Sequence, residues 1–353
     1  MRNRFFVSFI DGCALSGLHS LRSLGIAILA VVPVAILGLA PKAAPKATPK
    51  AAPKAWTAPK TPWGDPDLQG TWTSDDYIGV PMQRPANLGT RQAPTDEEIA
   101  QRQAQLERQA ENDSQEFVAE NAKAVVNPPG HWGERARRPP RQTSLIVDPP
   151  DGRMPALTAE AQQRQAELQK IRQGSPGGPE DRSLYDRCIT RGVTGSIFPV
   201  IYGNGTQIVQ SPGFVTILTE MIHEARMVPL DGRAHVSKDI RTYMGDPRGH
   251  WEGKTLVVET TNFTNKTGIG LNGGGVTHTE ALKLVERFTR LDANTIKYDV
   301  TIDDPQTYTR PWTVSFPITQ EPGYRNFEYA CHEGNYALHN ILSAARAEEA
   351  NKK

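Results

Sequence analysis

The chain has 353 residues, and its 40 Lys and Arg stand against 39 Asp and Glu, a net charge of +1. That balance leaves no basic field of the kind that holds phosphate backbones, which excludes nucleic acid as a partner. The roughly 290 residues after Trp63 are enough for one large domain or two small ones.

Residues 1–40 read as an export leader. Arg2, Arg4 and Arg22 precede or flank an apolar run over 24–39, and Gly38, Leu39 and Ala40 offer a small-x-small cleavage site. An uncleaved anchor is the alternative, although the run is shorter than the about 20 residues a membrane span needs. The expected location is therefore periplasmic or secreted, or membrane-anchored by the uncleaved leader. Residues 41–62 form a linker in which Pro41, Pro45, Pro49 and Pro53 are each followed by lysine. Such a repeat favours an extended polyproline helix rising about 3.1 Å per residue. It reads as a solvated spacer whose lysines offer weak contact with a membrane or cell wall. Cys13 falls in the leader, which leaves Cys188 and Cys331 to form one disulfide in an oxidising compartment.

Residues 63–353 read as a single β-rich domain with helical insertions near 95–124 and 158–173. A turn-rich entry leads to a strand over 68–72. Thr95 and Glu98 make a capping box for the first helix, which is rich in Gln, Glu and Arg and lies outside the core. A strand over 143–147 follows, then a helix over 158–173 that Gly174 and Pro176 stop. From Thr206 onward the pattern is β. Strands are expected over 207–210, 214–220, 225–230, 255–261, 284–291, 295–302 and 312–316, from their β-branched and aromatic content. Ile296, Tyr298, Val300 and Ile302 alternate with polar residues and share one face. Hairpin turns are expected at Glu252-Gly253-Lys254-Thr255 and Asp292-Ala293-Asn294-Thr295. A short helix over 336–349 ends the domain. The expected fold is mainly β: an antiparallel meander closed or nearly closed into a lipocalin-like barrel, with peripheral α-helices. Closure removes the unpaired edges of a long open meander.

Gly70, Thr71 and Trp72 resemble the Gly-x-Trp signature of lipocalin-like barrels, which implies barrel geometry. A second resemblance covers residues 143–349. Asp231-Gly232-Arg233-Ala234-His235, the run from Met244 to Gly253, Thr261-Asn262-Phe263, Glu286 to Arg290 and Ala330 to Tyr336 are similar to segments of a family of exported bacterial proteins of uncharacterised activity. It implies export and a shared domain, and carries over no catalytic residue.

Chemistry points to the polar cluster from Glu220 to His235. A hairpin centred near His223 would pair Glu220 with Arg226 across the strands. His223 and Glu224 then sit at a barrel mouth, where a histidine beside a carboxylate can exchange protons near neutral pH. His235 and Glu286 complete the candidate acid-base groups. Arg226 and Arg233 are candidates for holding an anionic group, since the Asp-Gly turn at Asp231 has no need of an arginine. Arg248, Trp251, Asn262, Trp312 and His332 are further candidates for substrate contact. Arg248 beside Asp246 also reads as a loop-ordering pair. Metal ligation would need His223, His235, His278 or His332 with Glu224, Glu280 or Glu333. The sequence has no His-x-x-x-His helix to gather them, so no metal site is assigned. The lack of a Gly-x-Gly-x-x-Gly turn disfavours a dinucleotide fold, and no cofactor is expected.

The leading expectation is an exported barrel acting without redox cofactor on a small organic or sugar-like molecule by acid-base chemistry of the hydrolase or lyase type. The alternatives are a barrel that binds a small ligand without turning it over, and a structural envelope protein whose polar residues are internal braces. An enzyme requires His223 or His235 within about 3–4 Å of a carboxylate in an open pocket.

Overall fold

In a computed structural model the described residues are 56–114, 133–321 and 323–351, so the leader and most of the proline repeat lie outside them. Alternation of apolar and polar side chains builds the strands, and their order around the sheet follows the chain. β1 (Gly70–Thr73) pairs on one side with β3 (Thr206–Ser211), which leads through β4 (Phe214–Thr219) to β5 (Ala225–Pro229). On its other side β1 pairs with β12 (Trp312–Gln320), followed by β11 (Thr295–Asp303), β10 (Lys283–Asp292), β7 (Thr255–Thr261) and β6 (Asp246–Glu252). Every pairing is antiparallel. Around the ring the strands thus run in sequence order, as in an up-and-down barrel.

The ring has one seam. β5 and β6 lie against each other, yet among the described residues they exchange no ladder hydrogen bonds. Gly249 marks the contact. A Cβ built there would come within 2.7 Å of both Val228 and Leu230, so only glycine lets the two edges approach this closely. β2 (Ile146–Asp148) adds to the near half of β12, beyond the reach of short β1.

The lumen is a packed core. Ile296, Tyr298, Val300 and Ile302 are all fully buried, on one face as their alternation requires. The strands on either side add Phe288, Trp312 and Phe316, and Tyr298 meets Phe316 edge-on with ring centroids 5.4 Å apart. Burying a large side chain of this kind stabilises by roughly 1.5–3 kcal/mol.

Helices lie outside the ring. α1 (Asp96–Asp113) buries no residue and starts at the expected capping box: Glu98 N–H donates to Thr95 Oγ1, and Thr95 N–H to Glu98 Oε2. Its expected continuation to 124 lies outside the described residues from 115 on. α2 (Ala159–Gln173) begins at Thr158 and stops at Gly174. α3 (Gly192–Ile197) is short and buried, and β8 (Gly268–Ile269) and β9 (Val276–Thr277) form a separate small hairpin. α4 (Tyr336–Asn351) ends the described chain. Just before it, Cys331 is bridged to Cys188. Residues 56–62, assigned above to the end of the spacer, run along the domain: Lys60 bridges to Pro66 and Thr61 is buried.

Two expectations about local structure change. The polar stretch from Asp246 to Glu252 is a strand, β6, whose alternation is masked because its inward positions hold Pro247, Gly249 and Trp251 rather than aliphatic residues. The connection between β4 and β5 is not a tight hairpin. Ile217 stands opposite Arg226, and Glu220 falls in the turn, where Ile222 and His223 take left-handed backbone angles of 63° and 40° in φ. Glu220 accepts instead from Gly205 N–H, Phe327 N–H and the Tyr324 hydroxyl.

Candidate functional site

The four acid-base candidates end up in three separate places. Glu286 points into the lumen from β10 and is completely buried. Arg226 donates to it twice, Nη1 to Oε2 at 2.5 Å and Nη2 to Oε1 at 2.9 Å, and Tyr298 Oη donates to Oε1 at 3.0 Å. Burial drives the Tyr298 phenol well above its usual pKa, with the neighbouring carboxylate adding to the effect. Both carboxylate oxygens are engaged and no water reaches them, so Glu286 and Arg226 act as an internal brace rather than as catalyst and substrate clamp. The brace joins strands on opposite sides of the seam. Trp312 is likewise core, fully buried and edge-on to Tyr308 at 5.5 Å, which removes it from substrate contact.

His223 is exposed at the β4–β5 turn. Glu224 beside it is half-buried and accepts from Thr190 Oγ1 at 2.6 Å, and burial raises its carboxyl pKa. Arg233 is exposed and folds back on Asp231, whose Oδ1 also accepts from Arg233 N–H at 3.1 Å. Asp151 and Arg153 repeat that backbone bond at 3.0 Å, so turn chemistry accounts for both Asp-Gly-Arg segments. His332 is exposed in the turn before α4. Trp251 is half-buried and lines a hollow of about 440 Å³ with Trp56 and Lys254, apart from the other candidates.

His235 is different. It stands at a cleft of about 1010 Å³ on the outer side of the barrel wall. The loop after β5 carries it, and β6 begins with its partner: His235 Nδ1 and Asp246 Oδ2 are 3.0 Å apart. Asp246 is held from every side. Val236 N–H donates to Oδ2 at 3.0 Å, and Arg248 Nη1 donates to Oδ1 at 2.5 Å while its Nε binds Ala234 O at 3.1 Å. An ionised Asp246 accepts from Nδ1–H, which leaves Nε2 of a neutral imidazole with its lone pair. Glu259 Oε1 stands 3.6 Å from Nε2, beyond hydrogen-bond range. Lys283 Nζ holds Glu259 at 2.6 Å and lowers its pKa, a diagonal pair across β7 and β10.

Asn262 shapes the rim. Its backbone is left-handed at φ 59°, a conformation asparagine tolerates better than most residues, and its Nδ2 donates to the carbonyls of Val236, Ser237 and Ile240. It therefore clamps the loop that carries His235. The far wall includes His278, which is buried and has both ring nitrogens engaged, Nδ1 with Thr279 O at 2.8 Å and Nε2 with Thr267 Oγ1 at 2.5 Å. Burial lowers its pKa, so it is a neutral wall element. Across from it, α2 contributes Arg164, docked because Gln165 on the same helix exchanges hydrogen bonds with the backbone of Thr277.

The structure thus brings together His235, Arg248 and Asn262 from the sequence candidates. Sequence reasoning missed Glu259, Lys283 and Arg164. The period-two pattern of β7 and β10 already put Glu259 and Lys283 on outward faces, whereas nothing in the sequence ties α2 to this cleft. It also missed a buried pair elsewhere. Asn204 Nδ2 donates to Asp75 Oδ1 at 2.8 Å and to Glu134 Oε2 at 2.7 Å. Burial, then the Asp75 charge, pushes the Glu134 carboxyl up to about 8, and burial raises Asp75 as well. Among the described residues no group of three or more His, Cys, Asp or Glu is placed to hold a metal, and no helix is long and apolar enough to cross a membrane.

No protein-family model, curated protein or solved structure matches the chain.

Proposed function

We propose that this is an exported enzyme that carries out acid-base chemistry, of the hydrolase or lyase type, on a small organic or sugar-like molecule in the cleft beside His235. The observation that carries the reading is the 3.0 Å contact between His235 Nδ1 and Asp246 Oδ2 at the edge of an open cleft. Asp246 orients the ring and balances the charge that appears when the ring takes a proton. Nε2 is then the atom that removes a proton from substrate or water and returns it to the leaving group. The side chains are 25 % and 15 % exposed, so solvent and substrate can reach them while neighbours hold them still. Export is supported by the apolar run over 24–39 and by a disulfide closing 143 residues of chain.

The packed lumen speaks against a barrel that holds its ligand inside, because the side chains there leave it filled. The test is mass spectrometry of a panel of glycosides, esters and sugar acids incubated with the wild-type protein and with His235→Asn. Turnover by the wild type that falls by about a hundredfold or more in the variant is expected for a general acid-base residue. Equal turnover by both proteins would remove His235 from the chemistry.

A further inference from the structure

A second hollow, of about 350 Å³, adjoins the cleft. Arg164 and Asn265 line both, so the two share a wall rather than standing apart. The smaller hollow is built on one face of α2, where Arg164, Leu168, Ile171 and Arg172 fall at helical spacing, and on the segment that follows the helix, which supplies Arg182 and Arg187.

The charges around these two spaces are unbalanced in one direction. Around them Arg164, Arg172, Arg182, Lys238 and Lys266 form no ion pair with a carboxylate among the described residues. Arg164 donates only to Thr307 Oγ1, at 2.9 Å, and its Nε is buried with no acceptor. Arg182 reaches only backbone carbonyls, of Asp181 and Gly174. The acidic residues nearby are already engaged: Glu280 with Arg241 at 3.1 Å, Glu180 with Arg187 at 3.6 Å, and Asp181 with the backbone N–H of Gly177 at 2.7 Å. A buried guanidinium nitrogen without an acceptor is unfavourable, and an anion supplied from outside relieves it.

We infer that the cleft and the adjoining hollow form one continuous track for an extended ligand with several negative charges, an oligosaccharide of acidic sugars. The inference rests on the reading of the cleft as the substrate site and names what that site takes. The larger space alone matches the upper end of the roughly 300–1,000 Å³ usual for one drug-sized molecule, and the second hollow adds room beyond it. Amide side chains, Asn265 and Gln306, stand ready for hydroxyls between the charged positions. Neither space is lined by Trp, Tyr or Phe, the platforms on which single-stranded nucleic acid stacks its bases. Lys238 and Arg164 then take the ring at the His235 end, while Arg172, Arg182 and Lys266 hold the carboxylates of the rings further along.

Calorimetric binding of tetragalacturonate, of neutral maltotetraose and of a short oligothymidylate tests this on the full protein, with the double variant Arg172→Ala/Lys266→Ala and with His235→Asn. Both residues of the double variant are exposed, and a melting curve checks that the fold is kept. The expected result is binding of the acidic tetrasaccharide and of neither other probe, weakened about tenfold or more by the double variant. Equal binding of the neutral sugar, or no loss in the double variant, overturns the track and leaves the cleft chemistry standing. Binding of the oligothymidylate at equal strength and with equal sensitivity overturns the sugar assignment. Tight acidic-sugar binding together with unimpaired turnover by His235→Asn upholds the track and sinks the proposed role of His235.

Discussion

The lumen and the outer cleft each set a carboxylate beside a nitrogen-bearing side chain, yet they can do opposite things. In the lumen, Glu286 has both oxygens taken by Arg226 and Tyr298 and is sealed from water, so its charge has nowhere to go. At the cleft, Asp246 is equally well held, but its partner is a histidine with one nitrogen left over and solvent within reach. The difference lies in saturation rather than in residue type. A carboxylate whose whole hydrogen-bonding capacity is met inside a dry core serves stability, because disturbing it strands a charge. One that orients a partly exposed imidazole leaves a proton free to move.

The largest effect that tests this contrast comes from the staple. The disulfide closes a loop that contains β3 through β12, and with them both regions. In the chain-entropy model its loss removes about 5 kcal/mol, so Cys331→Ser should unfold at markedly lower denaturant than the oxidised wild type. Adding reductant to the wild type should reproduce the loss. Equal midpoints with and without reductant would show that the bridge does not act.

Next is the lumen itself. Arg226→Met strands a buried carboxylate and should lower stability by about 3–5 kcal/mol, whereas Arg226→Met/Glu286→Leu should recover most of that. Urea denaturation reads both; a double variant no better than the single one would break the assignment as a brace.

The Asp75–Glu134 pair supplies an intermediate case, with Asp75 buried and Glu134 half-buried, and it is able to titrate. Its folded pKa of about 8 lies above the ordinary 4.5, so the fold binds a proton that the unfolded chain releases. The stability it contributes is full below pH 4.5 and is lost as pH rises through about 8. Melting temperature should therefore fall across that window, and less steeply in Glu134→Gln. Parallel profiles for the two proteins would count against a raised Glu134 carboxyl as the cause.

The smallest effect on stability is expected at the cleft. His235→Ala should change the unfolding free energy by no more than about 0.5–1 kcal/mol, since the side chain is partly exposed and packs little. A loss near that of the lumen variants would make His235 another brace, and the comparison would collapse.

Much of the barrel was readable because alternation is a local signal. Ile296, Tyr298, Val300 and Ile302 declare an inward face without reference to any partner, and the capping box at Thr95 and Glu98 does the same for α1. β6 hid itself because the seam needs Gly249 where a buried strand would ordinarily show an aliphatic residue. The site was harder to see, since a cleft is made of distances between elements. Placing Glu220 across from Arg226 assumed a tight hairpin at His223, and the longer connection over residues 220–224 shifts Arg226 to face Ile217. Arg226 thereby becomes free to cross the lumen to Glu286, a partner 60 positions away that no local pattern indicates.

The seam between β5 and β6 has a consequence for how the protein behaves in a crowded solution. Two unzipped strand borders that face each other are mutually hidden, so neither offers a template to a passing chain. Their protection depends on proximity rather than on bonding, and a single methyl group grown on Gly249 would wedge them apart. A ring fastened in this way can stay solitary as long as that joint stays shut, and the amides along it should be the first to trade their hydrogens with water.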